Sequence, residues 1–161
     1  MFDPDKWAES VDNQLKKRAD QANQSQQMFL ERRKMLAQEG PLFWPKVREA
    51  SKQCCDAYNK RKQHEVLFFA DIGDKVFTIK RTDAAGMELI VEQVRGIGYK
   101  INVQSQFPKY RQVYQPQIFD GGDGSVELCS SDNVPVTPEE VATAAMSAFL
   151  GAYQTSSTAT A

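Results

Sequence analysis

Apolar residues recur every seven positions near the start of the chain: Leu15, Ala22, Phe29 and Leu36, with Trp7, Val11, Met28 and Met35 beside the same stripe. No glycine or proline interrupts the run between Pro4 and Gln38. Asp3-Pro4-Asp5 supplies a start and Gly40-Pro41 a stop, so the spacing predicts one amphipathic helix over about residues 4–38. Its seam is uneven. Arg18, Ser25 and Arg32 stand at the alternate positions that a coiled coil fills with apolar side chains, and ADQANQSQQ offers only Ala19 and Ala22 to bury. A kink or a solvent-facing stretch is expected near Asn23–Gln27.

Such a helix is long for its domain. At ~1.5 Å per residue it makes a rod of roughly 50 Å. A domain of this chain length is about 40 Å across. Either the helix bends, or its far end, with Trp7 and Val11, rests on a second subunit or another partner.

PLFWPKVREASKQCCDAYNKRK reads as a second helix over about residues 42–62, with both prolines in or before its first turn. Phe43, Val47, Ala50, Cys54 and Ala57/Tyr58 form its expected apolar face. Lys60, Arg61 and Lys62 fall in the last turn, where cations suit the negative end of the helix dipole.

The period then changes from helical to alternating. EVLFFADIGDKVFTIKRT divides into two β-runs around Gly73-Asp74, and MELIVEQV follows the turn at Ala84-Ala85-Gly86. Met87, Leu89 and Val91 alternate with Glu88, Ile90 and Glu92. Gly96-Ile97-Gly98 reads as a turn before YKINVQSQ, where Tyr99, Ile101 and Val103 share a face. YRQVYQPQIF and SVELCSS complete the set, joined through Asp120-Gly121-Gly122-Asp123-Gly124, and Pro116 suggests an edge strand or a bulge. Short links favour an antiparallel meander of five or six strands over about residues 65–130. Thr137-Pro138-Glu139-Glu140 is a capping box that opens a last helix, expected to run over about residues 138–153. The fold class read from these elements is α+β, a single domain over residues 1–153 with a loose tail at 154–161.

The chain has 161 residues, 41% hydrophobic and 25% charged, which fits one folded domain. Formal net charge is −1, which favours neither a nucleic-acid nor an anionic membrane partner. Charge is unevenly placed: residues 1–82 carry 16 Lys/Arg against 12 Asp/Glu (+4), and the remainder 4 against 9 (−5). A basic half and an acidic half point to internal or dimer complementarity. No stretch approaches the roughly 18 apolar residues of a membrane span. MFDPDKWAES has acids and no apolar run, and three cysteines at unpaired spacings suggest reduced thiols, so a cytoplasmic location is expected.

Candidate chemistry is sparse. Cys54, Cys55 and His64, the only histidine, lie close in sequence. Neighbours on a helix point ~100° apart, so the two thiols cannot aim at one metal or substrate, and Cys54 belongs to the expected buried stripe. With Cys129 they lack the paired spacing of a zinc site, and no metal or other cofactor is expected. Any Ser–His–Asp chemistry must use His64, and no Gly-x-Ser-x-Gly elbow supplies its serine. Gly96-Ile97-Gly98 is a Gly-x-Gly fragment with no helix after it, and the Asp120–Gly124 loop has too few oxygens for calcium, so both read as turns. KYRQVYQPQ interleaves Lys109, Tyr110, Arg111 and Tyr114 as single-strand nucleic-acid readers do, but in the acidic half of the chain.

These residues favour a non-enzymatic, cytoplasmic protein-interaction module, a homodimer, using the long first helix or an open sheet face. Trp7, Val11, Leu15, Tyr110 and Tyr114 are its expected contact residues. The competing expectation is a small-molecule binder or enzyme whose pocket lies between sheet and helix and uses Cys54 or Cys55 with His64.

Overall fold

Asp3 begins the first helix as expected: its Oδ1 accepts from the Asp5 and Lys6 amides at 3.1 and 3.3 Å. The computed structural model describes residues 1–96, 98–118 and 124–151. The expected tail at 154–161 lies outside them, as does all but Gly124 of the glycine-rich loop that begins at Asp120. The elements in chain order are α1 (Pro4–Glu39), a 3-10 turn (Gly40–Leu42), α2 (Phe43–Lys62), seven strands, and α3 (Pro138–Phe149). The class is α+β. By packing the chain divides into two units, Met1–Met35 and Leu36–Ala161.

The first unit is most of α1. The helix is unbroken from Pro4 to Glu39, and none of its residues is buried. The stretch Asn23–Gln27 is exposed throughout.

In the second unit the strands are β1 (Leu67–Gly73), β2 (Val76–Arg81), β3 (Glu88–Gly96), β4 (Gly98–Ser105), β5 (Tyr110–Ile118), β6 (Val126–Cys129) and β7 (Pro135–Val136). They pair in sequence order as one antiparallel sheet. The count is seven rather than five or six. The extra strand is only two residues, one of them proline, in a stretch that reads as loop; Pro135 and Val136 oppose Cys129 and Leu128. β1 and β2 join at Gly73, where a bulge needs a backbone φ of 149° that side chains rarely adopt. β3 and β4 pair up to Gly96 opposite Gly98, and Ile97 of the expected turn lies outside the described residues.

Pro116 sits in an interior strand, so the edge position, one of its two expected settings beside a bulge, is not the one it takes. The physical reason is local: pairing of β5 with β4 ends at Tyr114 opposite Ile101, while Pro116 opposes Leu128 on β6. The proline therefore lies beyond the ladder that would need its missing N–H. Gly40 approaches it closely, and a Cβ there would lie 3.5 Å from Pro116 Cγ and from Tyr99 Cδ2.

Strand alternation assigns the two faces. Phe77, Val91 and Val103 form one inward row, and Ile79 and Leu89 begin the next; all are buried. α2 and α3 contribute Trp44, Val47, Val141 and Phe149 to the same core. The opposite face carries Thr78, Ile90, Gln104 and Arg111 in register, beside Val76, Glu92, Asn102 and Val113. Lys80 Nζ and Glu88 Oε2 pair there at 3.6 Å. The buried face of α2 is turned from the expected one: Trp44, Val47, Ala50, Ser51 and Cys55 are buried, while Phe43, Cys54 and Tyr58 flank them partly exposed. Trp44 decides the rotation, because its ring packs on Phe77 at 5.4 Å and its Nε1–H donates to the Asp74 carbonyl at 2.9 Å.

α3 has the expected capping box. Thr137 Oγ1 accepts from the Glu140 amide at 3.1 Å, and Glu140 Oε1 accepts from the Thr137 amide at 3.4 Å. The helix stops at Phe149 rather than near Tyr153, because Gly151 adopts a φ of 84° that ends it. Among the described residues no helix is long and apolar enough to cross a membrane.

Candidate functional site

Cys54 and Cys55 sit in the C-terminal half of α2, Cys55 within its buried stripe and Cys54 at the flank. Cys55 is 1% exposed, and burial, helped by Cys54 and Asp56, pushes its thiol up to about 12. Cys54 is half-buried against the core, and burial raises its thiol as well. The order is the reverse of the expected one, in which Cys54 filled the core. His64 is exposed, with Nδ1 2.9 Å from the Lys62 carbonyl, to which it donates when protonated there. The imidazole thus faces solvent while the Cys55 sulfur faces the core. A nucleophilic thiol needs a lowered pKa, and both neighbouring thiols are shifted the other way. Cys129 is likewise buried and raised, by burial first and Glu127 second. Among the described residues no group of three or more His, Cys, Asp or Glu side chains converges to hold a metal ion.

Asn59 and Arg48 fix this helix to β1. Asn59 Oδ1 accepts from the Val66 and Leu67 amides, both at 2.9 Å, and Nδ2 donates to the Leu67 carbonyl at 2.8 Å. Arg48 Nε donates to Asp71 Oδ1 at 2.8 Å, a second bond joins Nη2 to Oδ2, and the guanidinium lies 5.3 Å from the Phe69 ring centre. The Arg48 hydrogen bond holds the Asp71 carboxyl below its ordinary range. These contacts are spent on one another and order the fold.

The proposed contact residues divide. Trp7 and Leu15 are 61% and 58% exposed, and Val11 between them is partly exposed. Farther along α1, Met28, Phe29 and Leu30 also stand open. Tyr114 is 5% exposed and belongs to the core, so it is not a surface residue. Tyr110 packs partly buried at the edge of that core. The tyrosines share a face as their spacing implies, but it is the covered face.

The sequence reading missed a cleft of about 770 Å³ on the second unit. Glu88, Ile90, Gln104 and Arg111 line it from the open face, while Phe107 and Lys109 line it from the turn between β4 and β5. It offers a carboxylate, two cations, two amides, the hydroxyls of Ser105 and Tyr110 and an exposed aromatic ring, and its lining holds no thiol or imidazole. Lys109, Tyr110 and Arg111, all in this lining, were legible as part of KYRQVYQPQ. Phe107 was not, because its place in the wall depends on how the turn folds. On the open face outside the cleft, Phe68, Ile72 and Val94 are exposed.

Compared with known proteins, the chain matches no family model, no curated sequence and no solved structure at a significant level.

Proposed function

We propose that this protein is a non-enzymatic, cytoplasmic interaction module that associates with a second copy of itself through α1. One observation carries the reading: a helix of 36 residues has no buried residue, yet bears Trp7, Leu15, Met28 and Phe29. In proteins most helical stability comes from packing an apolar face rather than from propensity. Exposed large apolar side chains repeated along one helix mark an interaction surface when they form a patch. The open sheet face, with Phe68, Ile72 and Val94, is the second surface available for a partner. The raised thiols of Cys54 and Cys55 weigh against the alternative, a sheet–helix pocket using one of them with His64.

Sedimentation velocity tests the proposal. At tens of micromolar the full chain is expected to sediment as a dimer, and Trp7→Ala/Leu15→Ala to shift it toward monomer. A chain that stays monomeric at 100 micromolar overturns self-association. A dimer indifferent to the double substitution moves the interface away from α1, and Phe68→Glu then tests the sheet face.

A further inference from the structure

We infer that two copies of α1 pair antiparallel, crossing near Ala22; the inference rests on the self-association proposed above and specifies its geometry. The exposed stripe is nearly its own mirror in length. One end carries Trp7 and Leu15 with Val11 partly exposed between them, the other Met28 and Phe29 with Met35 partly exposed beyond them. Between them the stripe narrows to Ala19 and Ala22, so backbones can approach there without removing a large side chain. Laid antiparallel about that point, Trp7 of one copy comes level with Met35 of the other, and Leu15 with Met28 and Phe29. The overlap is roughly 40 Å long at ~1.5 Å per residue.

Charge selects the direction. Beside the stripe the first part of α1 carries Asp12, and the far part carries Arg33 at the equivalent position three heptads on. Antiparallel pairing sets Asp12 level with Arg33, twice over by symmetry, and both residues flank the seam. Parallel pairing sets each of these charges level with its own copy. Opposite charges along a seam favour one orientation and penalise the other. In the single chain Asp12 already lies 3.1 Å from Lys16 Nζ, an exposed pair on the same helix that is weak and easily shared. Arg18, the cation nearest the crossing on this face, lies about 10 Å along the seam from its copy, beyond the ~8 Å screening length at physiological salt. Arg18, Ser25 and Arg32 interrupt the seam, which limits affinity and makes the charge pairs a larger share of it.

The self-complementarity is what points to a second copy: an unrelated partner would not require that the two ends of one stripe match each other in both size and charge. An isologous contact does require it.

Charge reversal at two positions tests the geometry by sedimentation equilibrium at low and high salt. Asp12→Arg and Arg33→Asp are each expected to raise the dimer Kd about tenfold, since two exposed pairs become two repulsions. Asp12→Arg/Arg33→Asp restores opposite charges only in an antiparallel dimer, so its Kd should return to within about threefold of the original. Far-ultraviolet circular dichroism checks that all three variants keep the helix. A wild-type chain that never dimerises overturns the self-association itself. A dimer that is unmoved by the single variants, or that the double variant weakens further, overturns the antiparallel register and leaves self-association standing.

Discussion

Asn59 and Leu67 exchange two hydrogen bonds, amide to carbonyl in both directions, as two strand residues would. The same Asn59 oxygen also accepts from Val66, so one side chain on α2 completes the backbone at the start of β1. Val66 and Leu67 are both buried, and water cannot take over these bonds. Asn59→Ala is therefore expected to cost about 2–3 kcal/mol in urea unfolding, the penalty of stranding buried backbone groups. Asn59→Asp keeps the acceptor and loses the donor, and should fall between the two. Equal stability of Asn59→Ala and the parent chain would remove the clamp.

The Arg48–Asp71 pair makes a smaller, pH-dependent contribution. Both side chains are partly exposed, so Asp71→Asn should cost only about 0.5–1 kcal/mol at pH 7. Because the Arg48 hydrogen bond lowers the folded pKa of Asp71, its contribution is present above the ordinary value of 3.8. It disappears as pH falls through the lower folded value. The difference between parent and Asp71→Asn should thus be constant from pH 5 to 7 and shrink below pH 4. A gap that widens in acid would contradict the assignment.

Periodicity made most of the architecture legible, and the losses have a common cause. Leu89, Val91, Ile101 and Val103 show their buried face by alternation alone, and Thr137 with Glu140 shows where α3 starts. Burial of Trp44 rather than Phe43 turns α2 and puts Cys55, not Cys54, in the core. Two adjacent aromatics differ by ~100° on a helix, and the choice rests on the Asp74 carbonyl, 30 residues away. β7 is too short to have a period. The cleft gathers residues from three strands and a turn, so no local run announces it. The spacing puts Tyr114 on one face with Tyr110, but that this is the face covered by α2 and α3, and not an open one, is a tertiary fact.

At the start of α3 the capping box gives a graded test. Thr137→Ser retains the hydroxyl that accepts from the Glu140 amide and should leave stability within about 0.5 kcal/mol. Thr137→Ala removes it and should cost about 1 kcal/mol. The effect is more than local, because Val141, Ala145 and Phe149 in the following turns are core residues. Hydrogen exchange of the α3 amides should accelerate in Thr137→Ala at mild denaturant before global unfolding. Exchange unchanged along α3 would show that packing alone holds the helix.

Cys55 couples the core to alkaline pH. Its thiol is pushed up to about 12, whereas an unfolded cysteine ionises near 9.0. A raised acid pKa stabilises the fold while both states are protonated, and that benefit is lost as pH rises above the unfolded value, because only the unfolded thiol gains charge. The loss is on the order of 1 kcal/mol at pH 10 and about double that at pH 11. Cys55→Ala escapes it. At pH 7 this variant should be less stable by about 1–2 kcal/mol, through the sulfur missing from a site 1% exposed. Its deficit should close near pH 10 and reverse by pH 11, with the other titrating groups common to both chains. Thiol labelling gives the matching kinetic result: Cys54 alone should react slowly in the folded chain, and Cys55 at the rate of unfolding. Rapid labelling of Cys55 at pH 7, or a deficit constant from pH 7 to 11, would show that the sulfur is open to water.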